Sequence, residues 1–534
     1  MNKRYELIVI GAGPAGLSAA IEAAKCGMDV IVLDENARPG GQLFKQIHKF
    51  FGSKEHQAKI RGFRIGEELL EKAEKAGVKV LLNTVAMGIY DYNDVSYTCG
   101  DEIVHAKADN VIIATGASES MIPFDGWTLP GIIGAGAAQT LMNLHGVQPG
   151  KKILMIGSGN VGLVVGFQLL QAGCELAGVI EAAPRVGGYG VHASKLARAG
   201  VPFYTSHTIV KAEGEDHVTG AVIAEVDGSF KPVAGTEQRM DVDTICMAVG
   251  LSPMSQLARM AGCESIETPT SGGIVPKCNE YGETSIPGIF VAGDVAGIEE
   301  ASSAMITGRI AGSAAACRSG YLTKEAFREL YEENQTSLFQ LRQGMFCKEN
   351  KGRTDLRKTD EGCTLSQSLL KKGYIAEDEL AGFSAAGTTG KSGIHPVIEC
   401  TQNIPCNPCQ DACRFGCIRV GSRISDLPEL DPDKKCVGCG ICVASCPGQA
   451  IFLIDEDCGD GTATVTLPYE FSPLPSEGTK GKGLDRAGQP VCDAEVVKMQ
   501  YIPQMDHTAL LTMRVPKDMS MKARFFRVQE GEAI

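Results

Sequence analysis

The sequence predicts an α/β protein in which one parallel-sheet nucleotide domain is inserted into another, followed by a small cysteine-rich α+β module. Three observations carry this expectation: glycine-rich turns near residues 11 and 157, each set between an apolar strand and a helix, and nine cysteines crowded between Cys400 and Cys446. At 534 residues the chain has room for three or four domains of about 150 residues. Hydrophobic residues at 44% and charged residues at 22% are ordinary for a globular protein. The net charge of −13 argues against a nucleic-acid partner, because a phosphate backbone demands a basic face. No apolar run reaches the roughly 18 residues of a membrane span, so no membrane insertion is expected. The N-terminus lacks the long apolar region and small-residue cleavage site of a signal peptide, which places the protein in the cytoplasm.

Residues 7–33 read as strand, tight turn, helix, strand. Leu7-Ile8-Val9-Ile10 enters Gly11-Ala12-Gly13-Pro14-Ala15-Gly16, and the following strand Val30–Leu33 ends on Asp34, with Glu35 next. In such a unit Gly11 makes the turn, Gly13 admits a pyrophosphate to the backbone, and Gly16 lets helix pack on sheet. The pyrophosphate sits at the positive end of the helix, and Asp34 accepts the ribose hydroxyls. Two later segments decide which dinucleotide. VIIATG ends on Ala114-Thr115-Gly116, and IFVAGD ends on Gly293-Asp294. These resemble the ATG and GD motifs of the glutathione and thioredoxin reductase type of flavoprotein. That resemblance implies FAD, with Asp294 on its ribityl chain and a helix after Asp294 aimed at the flavin ring. The loop Pro39-Gly40-Gly41-Gln42 is a further candidate for FAD contact, through Gly41 and Gln42.

The unit recurs. Lys152–Ile156 leads into Gly157-Ser158-Gly159-Asn160-Val161-Gly162, and the partner strand ends on Glu181. Glu181 favours free ribose hydroxyls and so NAD(H) over NADP(H). The alternatives are ADP or ATP held structurally, or no nucleotide at all. Dithiol reductases of this architecture carry a Cys-x-x-Cys early in the inserted domain; GIIGAGAAQTL at 131–141 has none, which argues against dithiol chemistry. His48, His145 and His192 are read as core or solvated histidines. No catalytic residue is assigned.

The cysteine segment reads as two copies of one unit. The second, Cys436-x2-Cys439-x2-Cys442-x3-Cys446-Pro447, is the bacterial ferredoxin run, whose fourth cysteine ligates the neighbouring cluster. The first, Cys400-x5-Cys406-x2-Cys409-x3-Cys413, followed by RFGCI, matches it except that Cys400 lies three residues too far upstream. The repeat predicts two 4Fe–4S clusters: one on Cys400, Cys406, Cys409 and Cys446, the other on Cys436, Cys439, Cys442 and Cys413. The rival assignment uses Cys417 and frees Cys400. Zinc ribbons stop at four thiols, so zinc fits poorly.

The expected domains are therefore 1–119 with 284–335 for FAD and 120–283 for the second nucleotide. A linker with helical stretches follows at 336–395, then a ferredoxin-like module at 396–456 and a β-rich extension at 457–534. AAGTTGKS at 385–392 matches a permissive P-loop pattern without the strand and helix a P-loop needs, and is read as linker. Ser472–Gly488 is read as a Pro/Gly-rich loop.

With IGAGPAG, PGGQ, PGIIGAGAAQTL, IGSGNVG, VAGDVAG and CTQNIPCNPC assembled, the chain resembles the FAD-binding large subunit of the hydrogen cyanide synthase, opine oxidase and dye-linked proline dehydrogenase family. The resemblance implies an electron-transferring subunit. Its partners would be an amino-acid-oxidase-type FAD subunit that oxidises a secondary amine or amino acid, and a small iron–sulfur subunit. The complete CVGCGICVASCPG half departs from the family pattern and points to a ferredoxin-like acceptor rather than oxygen. Two other readings stay open: a self-contained NADH-dependent reductase of a small molecule, and a nucleotide-binding scaffold.

Overall fold

The computed structural model describes residues 3–91, 93–268, 272–345, 366–383, 385–386, 392–501 and 503–529. Most of the P-loop-like match, residues 387–391, lies outside them. The chain divides into two units.

The first unit takes in Met1–His48, Glu55–Ser120 and Gly250–Arg342. Its sheet is centred on Lys3–Ile10, flanked in parallel by Val30–Leu33 and Glu102–Ile113. Lys79–Leu81 extends one side, and Ile289–Val291 joins Glu102–Ile113 in parallel. Leu7, Ile8 and Val9 are fully buried, as strands covered on both faces must be. The alternating residues of Glu102–Asn110 face water on one side before the strand turns wholly apolar at Val111–Ile113. This switch marks where an antiparallel flap, Ala86–Tyr90 with Asp94–Cys99, gives way to the parallel sheet. The helix Pro14–Lys25 packs with the long helix Ala301–Arg318.

The second unit comprises Lys49–Lys54, Met121–Val249 and Gln343–Ile534. Its parallel sheet runs in the order Phe203–Thr205, Glu175–Glu181, Lys152–Ile156, Thr244–Met247, Ile132–Gly134. An antiparallel sheet brackets the cysteine segment. It starts with His395–Ile398 on Ile451–Asp455 and continues through Thr462–Tyr469, Ala509–Pro516, Pro490–Gln500, Lys480–Leu484 and Phe525–Val528. Between its first two strands the chain makes two short helices, Pro408–Ala412 and Ile441–Ser445, one in each cysteine unit.

One expectation is corrected. Ser472–Gly488 is not loop throughout, because Lys480–Leu484 is a strand paired on both sides. Its glycines, which suggested a loop, are there for close packing. A Cβ on Gly481 would sit 2.2 Å from the Arg527 carbonyl oxygen and 2.7 Å from the Phe526 ring. No described helix is long and apolar enough to cross a membrane.

Candidate functional site

The first glycine turn is shaped by what a side chain would strike. Gly11 has φ of +104°, and a Cβ there would lie 2.4 Å from the Ala114 carbonyl oxygen. A Cβ on Gly16 would lie 1.8 Å from the Gly11 carbonyl oxygen. Gly13 is different: its backbone is extended, and a Cβ would meet nothing within 4 Å. The space in front of Gly13, at the start of the helix Pro14–Lys25, is therefore open. Pro14 suits this position because the first helical N–H has no partner to lose, while Ala15 and Gly16 follow within the first turn. The Gly41 backbone closes on Gly13 from the other side, and Gly40 N–H donates to the Ala12 carbonyl at 2.7 Å.

Asp34 is buried and acts on the turn itself. Its Oδ2 accepts Ala12 N–H at 2.6 Å, and its Oδ1 accepts both the backbone and the side-chain N–H of Asn36 at 2.9 Å. Three of its acceptor positions are thus engaged by the protein, while Glu35 beside it is exposed. In the same unit Thr115 Oγ1 donates to the Met254 carbonyl, Gly293 N–H donates to Thr307 Oγ1, and Asp294 Oδ1 accepts Glu299 N–H. Gln42 lies on the short helical turn Gly41–Lys45, which ends in a lysine whose ammonium burial pushes below its usual range. Sequence reading had passed over Lys45.

The second turn repeats the build. A Cβ would lie 2.3 Å from the Ala248 carbonyl oxygen at Gly157 and 2.2 Å from the Gly157 carbonyl oxygen at Gly162, whereas Gly159 faces open space. Glu181 Oε2 accepts Ser158 N–H at 3.0 Å and the Ser158 hydroxyl at 2.7 Å, and its Oε1 accepts Ala183 N–H. The loop after Glu181 folds back on the turn. Gly188 N–H donates to the Ser158 carbonyl and Tyr189 N–H to Asn160 Oδ1, both at 2.8 Å.

The cysteines form two groups. Cys406 feels Cys446, Cys409 and Cys400 as electrostatic neighbours, and Cys409 feels Cys446 and Cys400. Cys442 in turn feels Cys436, Cys439 and Cys413. Cys417, the spare thiol, lies with the second group: its N–H donates to Cys413 Sγ at 3.2 Å, and burial, then Cys413, pushes its thiol up to about 11. The assignment that exchanges Cys417 for Cys400 would need it beside Cys406, Cys409 and Cys446. Burial is the main force raising the thiols of Cys406, Cys409, Cys442 and Cys446. Such sulfurs stay protonated until a cation arrives, and a coordinating metal removes the proton outright.

An apolar cavity in the second group is lined by Cys413, Cys436, Cys439 and Cys442 together with Phe415 and Leu453. The first group is walled by Phe51, Tyr189, Val191, Ile404 and Ala450. Backbone N–H groups point at sulfur in both: Ala450 to Cys446 and Gly438 to Cys436, each 3.4 Å. Among the described residues no three His, Cys, Asp or Glu side chains close to single-ion spacing. A cube does not ask for it, since each thiolate binds a different iron. All-thiol donor sets with N–H···S bonds fit iron–sulfur clusters.

The same unit holds a charged group that sequence reading missed. Glu399, Arg486, Arg524 and Arg198 are all buried, Arg524 completely. No motif announces it, because its members lie up to 326 residues apart, from Arg198 to Arg524.

Residues 5–308 match the family model described as pyridine nucleotide-disulphide oxidoreductase, and residues 433–452 match the 4Fe-4S binding domain. An opine oxidase subunit of Rhizobium meliloti is 30% identical over 342 residues, covering 61% of this chain and 65% of that protein. The HcnB subunit of the hydrogen cyanide synthase of Pseudomonas aeruginosa is 29% identical over 322 residues, covering 57% and 69% respectively. Among solved structures, the L-proline dehydrogenase of P. horikoshii aligns with a TM-score of 0.49 at 22% identity, covering 63% of this chain and 60% of that one. The match with the Rhizobium meliloti protein thus spans just under two thirds of that relative's length.

Fold, turns and matched domains define an iron–sulfur flavoprotein of the oxidoreductase class, with FAD as the implied flavin. The chain belongs to the pyridine nucleotide-disulphide oxidoreductase family, and a 4Fe–4S binding domain follows the family region.

Proposed function

We propose that the protein is a cytoplasmic electron-transferring dehydrogenase subunit that passes electrons between FAD and two 4Fe–4S clusters. It would serve a complex that oxidises an amino acid or secondary amine of the proline, sarcosine or opine kind. The observation that carries this reading is the pair of four-thiol groups in one unit of a chain whose other unit carries the open glycine turn. Cys400, Cys406, Cys409 and Cys446 would hold one cluster, and Cys413, Cys436, Cys439 and Cys442 the other. Gly11, Gly13, Ala15, Gly16, Glu35, Gly41, Gln42, Ala114, Thr115, Gly116, Gly293 and Asp294 would surround the FAD. The flavin supplies the exchange between two-electron and one-electron chemistry, and the clusters take one electron each.

The chain's own work is positional. The start of the helix Pro14–Lys25 offers backbone N–H groups and the positive end of its dipole to a pyrophosphate. Asp34 holds the turn in shape, leaving exposed Glu35 as the acid for the ribose hydroxyls. The wall of the first thiol group excludes water, and the N–H···S bonds at Cys436 and Cys446 favour the more negative sulfur of a reduced cluster.

Gly157, Gly159, Gly162 and Glu181 would hold an adenine nucleotide with free ribose hydroxyls. NAD(H) as redox partner is one reading; ADP or ATP as a structural ligand is the second. The second is favoured by the loop Gly187–Tyr189, which ties this turn to the wall of the first thiol group. The relatives are named as subunits, and the partners here would be a small iron–sulfur protein, a ferredoxin-like acceptor and an FAD subunit of the amino-acid-oxidase type.

An anaerobic titration of the cluster-loaded protein with NADH, following flavin and cluster absorbance, tests the reading. Bleaching of both makes the Glu181 site a nicotinamide port. No change with NADH, but reduction of both by dithionite, makes the site structural and puts the electron donor in a partner subunit. Protein purified anaerobically without iron and acid-labile sulfide would sink the whole reading.

A further inference from the structure

Two guanidinium groups share one carboxylate in the interior of the second unit, and a third acts on it electrostatically. Glu399 Oε1 accepts Arg486 Nε at 3.0 Å, Arg486 Nη2 at 2.6 Å and Arg524 Nε at 2.6 Å. Arg198 Nη2 donates to the Gln449 carbonyl at 2.8 Å, and Glu399 is among its electrostatic neighbours. Arg198 and Arg524 both stand over the Phe452 ring, 5.3 and 5.1 Å from its centre. Lys195, one helical turn before Arg198, is buried as well and acts electrostatically on Cys446.

This group is expensive. Burying a charge costs several times what an exposed ion pair returns, and even a well-matched buried pair seldom adds to stability. Here three positive charges meet one negative charge. Burial pulls Arg198 and Arg524 down to about 10 and outweighs Glu399, yet both stay protonated at neutral pH. Glu399 is ion-paired with both Arg486 and Arg524 at 2.6 Å, so three guanidinium groups and one carboxylate, as ions, carry an excess of two positive charges.

The excess lies beside the first thiol group. Glu399 immediately precedes Cys400 in the chain, and its N–H donates to the Ala450 carbonyl at 2.8 Å. Arg198 is bonded to the residue before Ala450, whose own N–H donates to Cys446 Sγ, and Cys446 is an electrostatic neighbour of Arg198. A 4Fe–4S cube with four thiolates is a dianion when oxidised and a trianion when reduced. A dianion cancels the excess.

The second group has a different setting. Cys439 is exposed, as are the side chains of Phe415 and Val437. The group's charged neighbours include the buried Asp431, which acts on Cys417 and is ion-paired with the exposed Arg419, and the exposed Lys434 and Lys435 directly before Cys436.

Resting on the reading that both thiol groups hold clusters, we infer that Arg198, Arg486 and Arg524 are the counter-charge of the first cluster and make it the higher-potential cluster of the two. Adding one electron to it, with no bond made or broken and no proton taken up, converts a dianion to a trianion beside net positive charge. Around the second group the buried Asp431 is already paired with Arg419, so the same electron on that cluster gains no comparable buried counter-charge among the described residues. Electrons therefore settle on the first cluster, and the exposed second cluster is the one that exchanges with an external carrier. The three arginines are positioning residues that act through the electric field.

The test is an EPR-monitored dithionite titration of the full-length, cluster-loaded protein, after iron and sulfide have been counted. Wild type should show two one-electron steps. Arg198→Gln should lower the upper step by at least 59 mV, a tenfold change in the oxidised-to-reduced ratio at fixed potential, and leave the lower step in place. Arg198→Lys, which keeps the charge, should restore it. The inference is overturned if Arg198→Gln moves neither step, moves both equally or moves only the lower one. Should Arg198→Gln lose iron, Arg198→Lys decides: retention of iron and potential supports a charge role, and loss of iron shows that packing is the role. Wild-type protein without iron overturns the parent reading instead, a result distinct from unchanged potentials in loaded protein.

Discussion

Replacing Gly13 with alanine separates the ligand's demands from those of the fold. Gly13 has φ −77° and ψ −174°, a conformation any residue adopts, and the added methyl would meet no protein atom within 4 Å. Alanine at a helix N-cap costs about 1 kcal/mol. The stiffer unfolded chain returns about 0.4–1 kcal/mol, so the protein without flavin should keep its melting temperature within about 4 °C. With FAD the arithmetic changes. The methyl fills the space where a pyrophosphate approaches the backbone, and hydrogen bonds to a charged acceptor contribute about 1.5–3 kcal/mol each. Losing two costs about 3–6 kcal/mol, which is a 10²- to 10⁴-fold weaker affinity at about 1.4 kcal/mol per tenfold. The assay is the flavin-to-protein ratio after purification, then FAD titration of the flavin-free protein by fluorescence quenching, with a melt alongside. Full flavin content at wild-type affinity would refute the reasoning, because it would put the pyrophosphate elsewhere. A collapsed flavin-free melt would show that the space before Gly13 is filled by protein.

Gly159→Ala is the matched change at the second turn, where the methyl also meets nothing. It should leave flavin content intact and abolish adenine nucleotide binding measured by calorimetry; loss of flavin instead would contradict two independent sites. Cys400→Ala should halve the iron content and remove one EPR signal, while Cys417→Ala should keep both, and the reverse pattern would hand the ligand role to Cys417. His56, buried and bonded to Ser337 through Nε2, is depressed chiefly by burial. Its folded-state value lies below the unfolded one of about 6.5. The stability it contributes is therefore complete above that pH and is lost as pH falls through the folded value, by up to about 1.4 kcal/mol per pH unit. Thermal melts between pH 7.5 and 5.5 should show a steeper decline in wild type than in His56→Gln, and parallel declines would count against it.

The nucleotide turns were legible because their chemistry is local. Strand, glycine turn, helix and terminal acid sit within about 25 residues, and Gly11, Gly16, Gly157 and Gly162 are each demanded by a neighbour within that span or by one strand end, Ala114 or Ala248. What escaped the sequence is what long-range packing decides. Lys480–Leu484 read as loop because Gly481 and Gly483 lower strand propensity; only Phe526 and the Arg527 carbonyl packed on Gly481, and Cys492 on Gly483, explain why they are there. The buried arginines were invisible for the same reason, since Arg198 comes from a nucleotide-domain helix and Arg524 from the far end of the chain.

The irregular first cysteine unit shows how the two kinds of information meet. A ferredoxin run places three thiols by loop spacing alone, and the second unit keeps that spacing in Cys436, Cys439 and Cys442. In the first unit Cys406 and Cys409 keep it, while Cys400 stands three residues too far upstream. The sheet supplies the reason. His395–Ile398 pairs antiparallel with Ile451–Asp455, bringing Ile398 opposite Ile451, and Glu399 N–H continues the ladder onto the Ala450 carbonyl. Cys400 therefore leaves the end of a strand whose partner begins just after Cys446, and β-pairing fixes its position beside Cys446. A thiol located by a strand needs no fixed distance to the loop that follows, so the spacing was free to stretch. The same register sets Glu399 one residue before Cys400 and beside Ala450, where Arg486 and Arg524 reach it. One strand end thus delivers both a thiol and the carboxylate that gathers the buried charge, which ties the position of the irregular cysteine to the electrostatics inferred for its cluster.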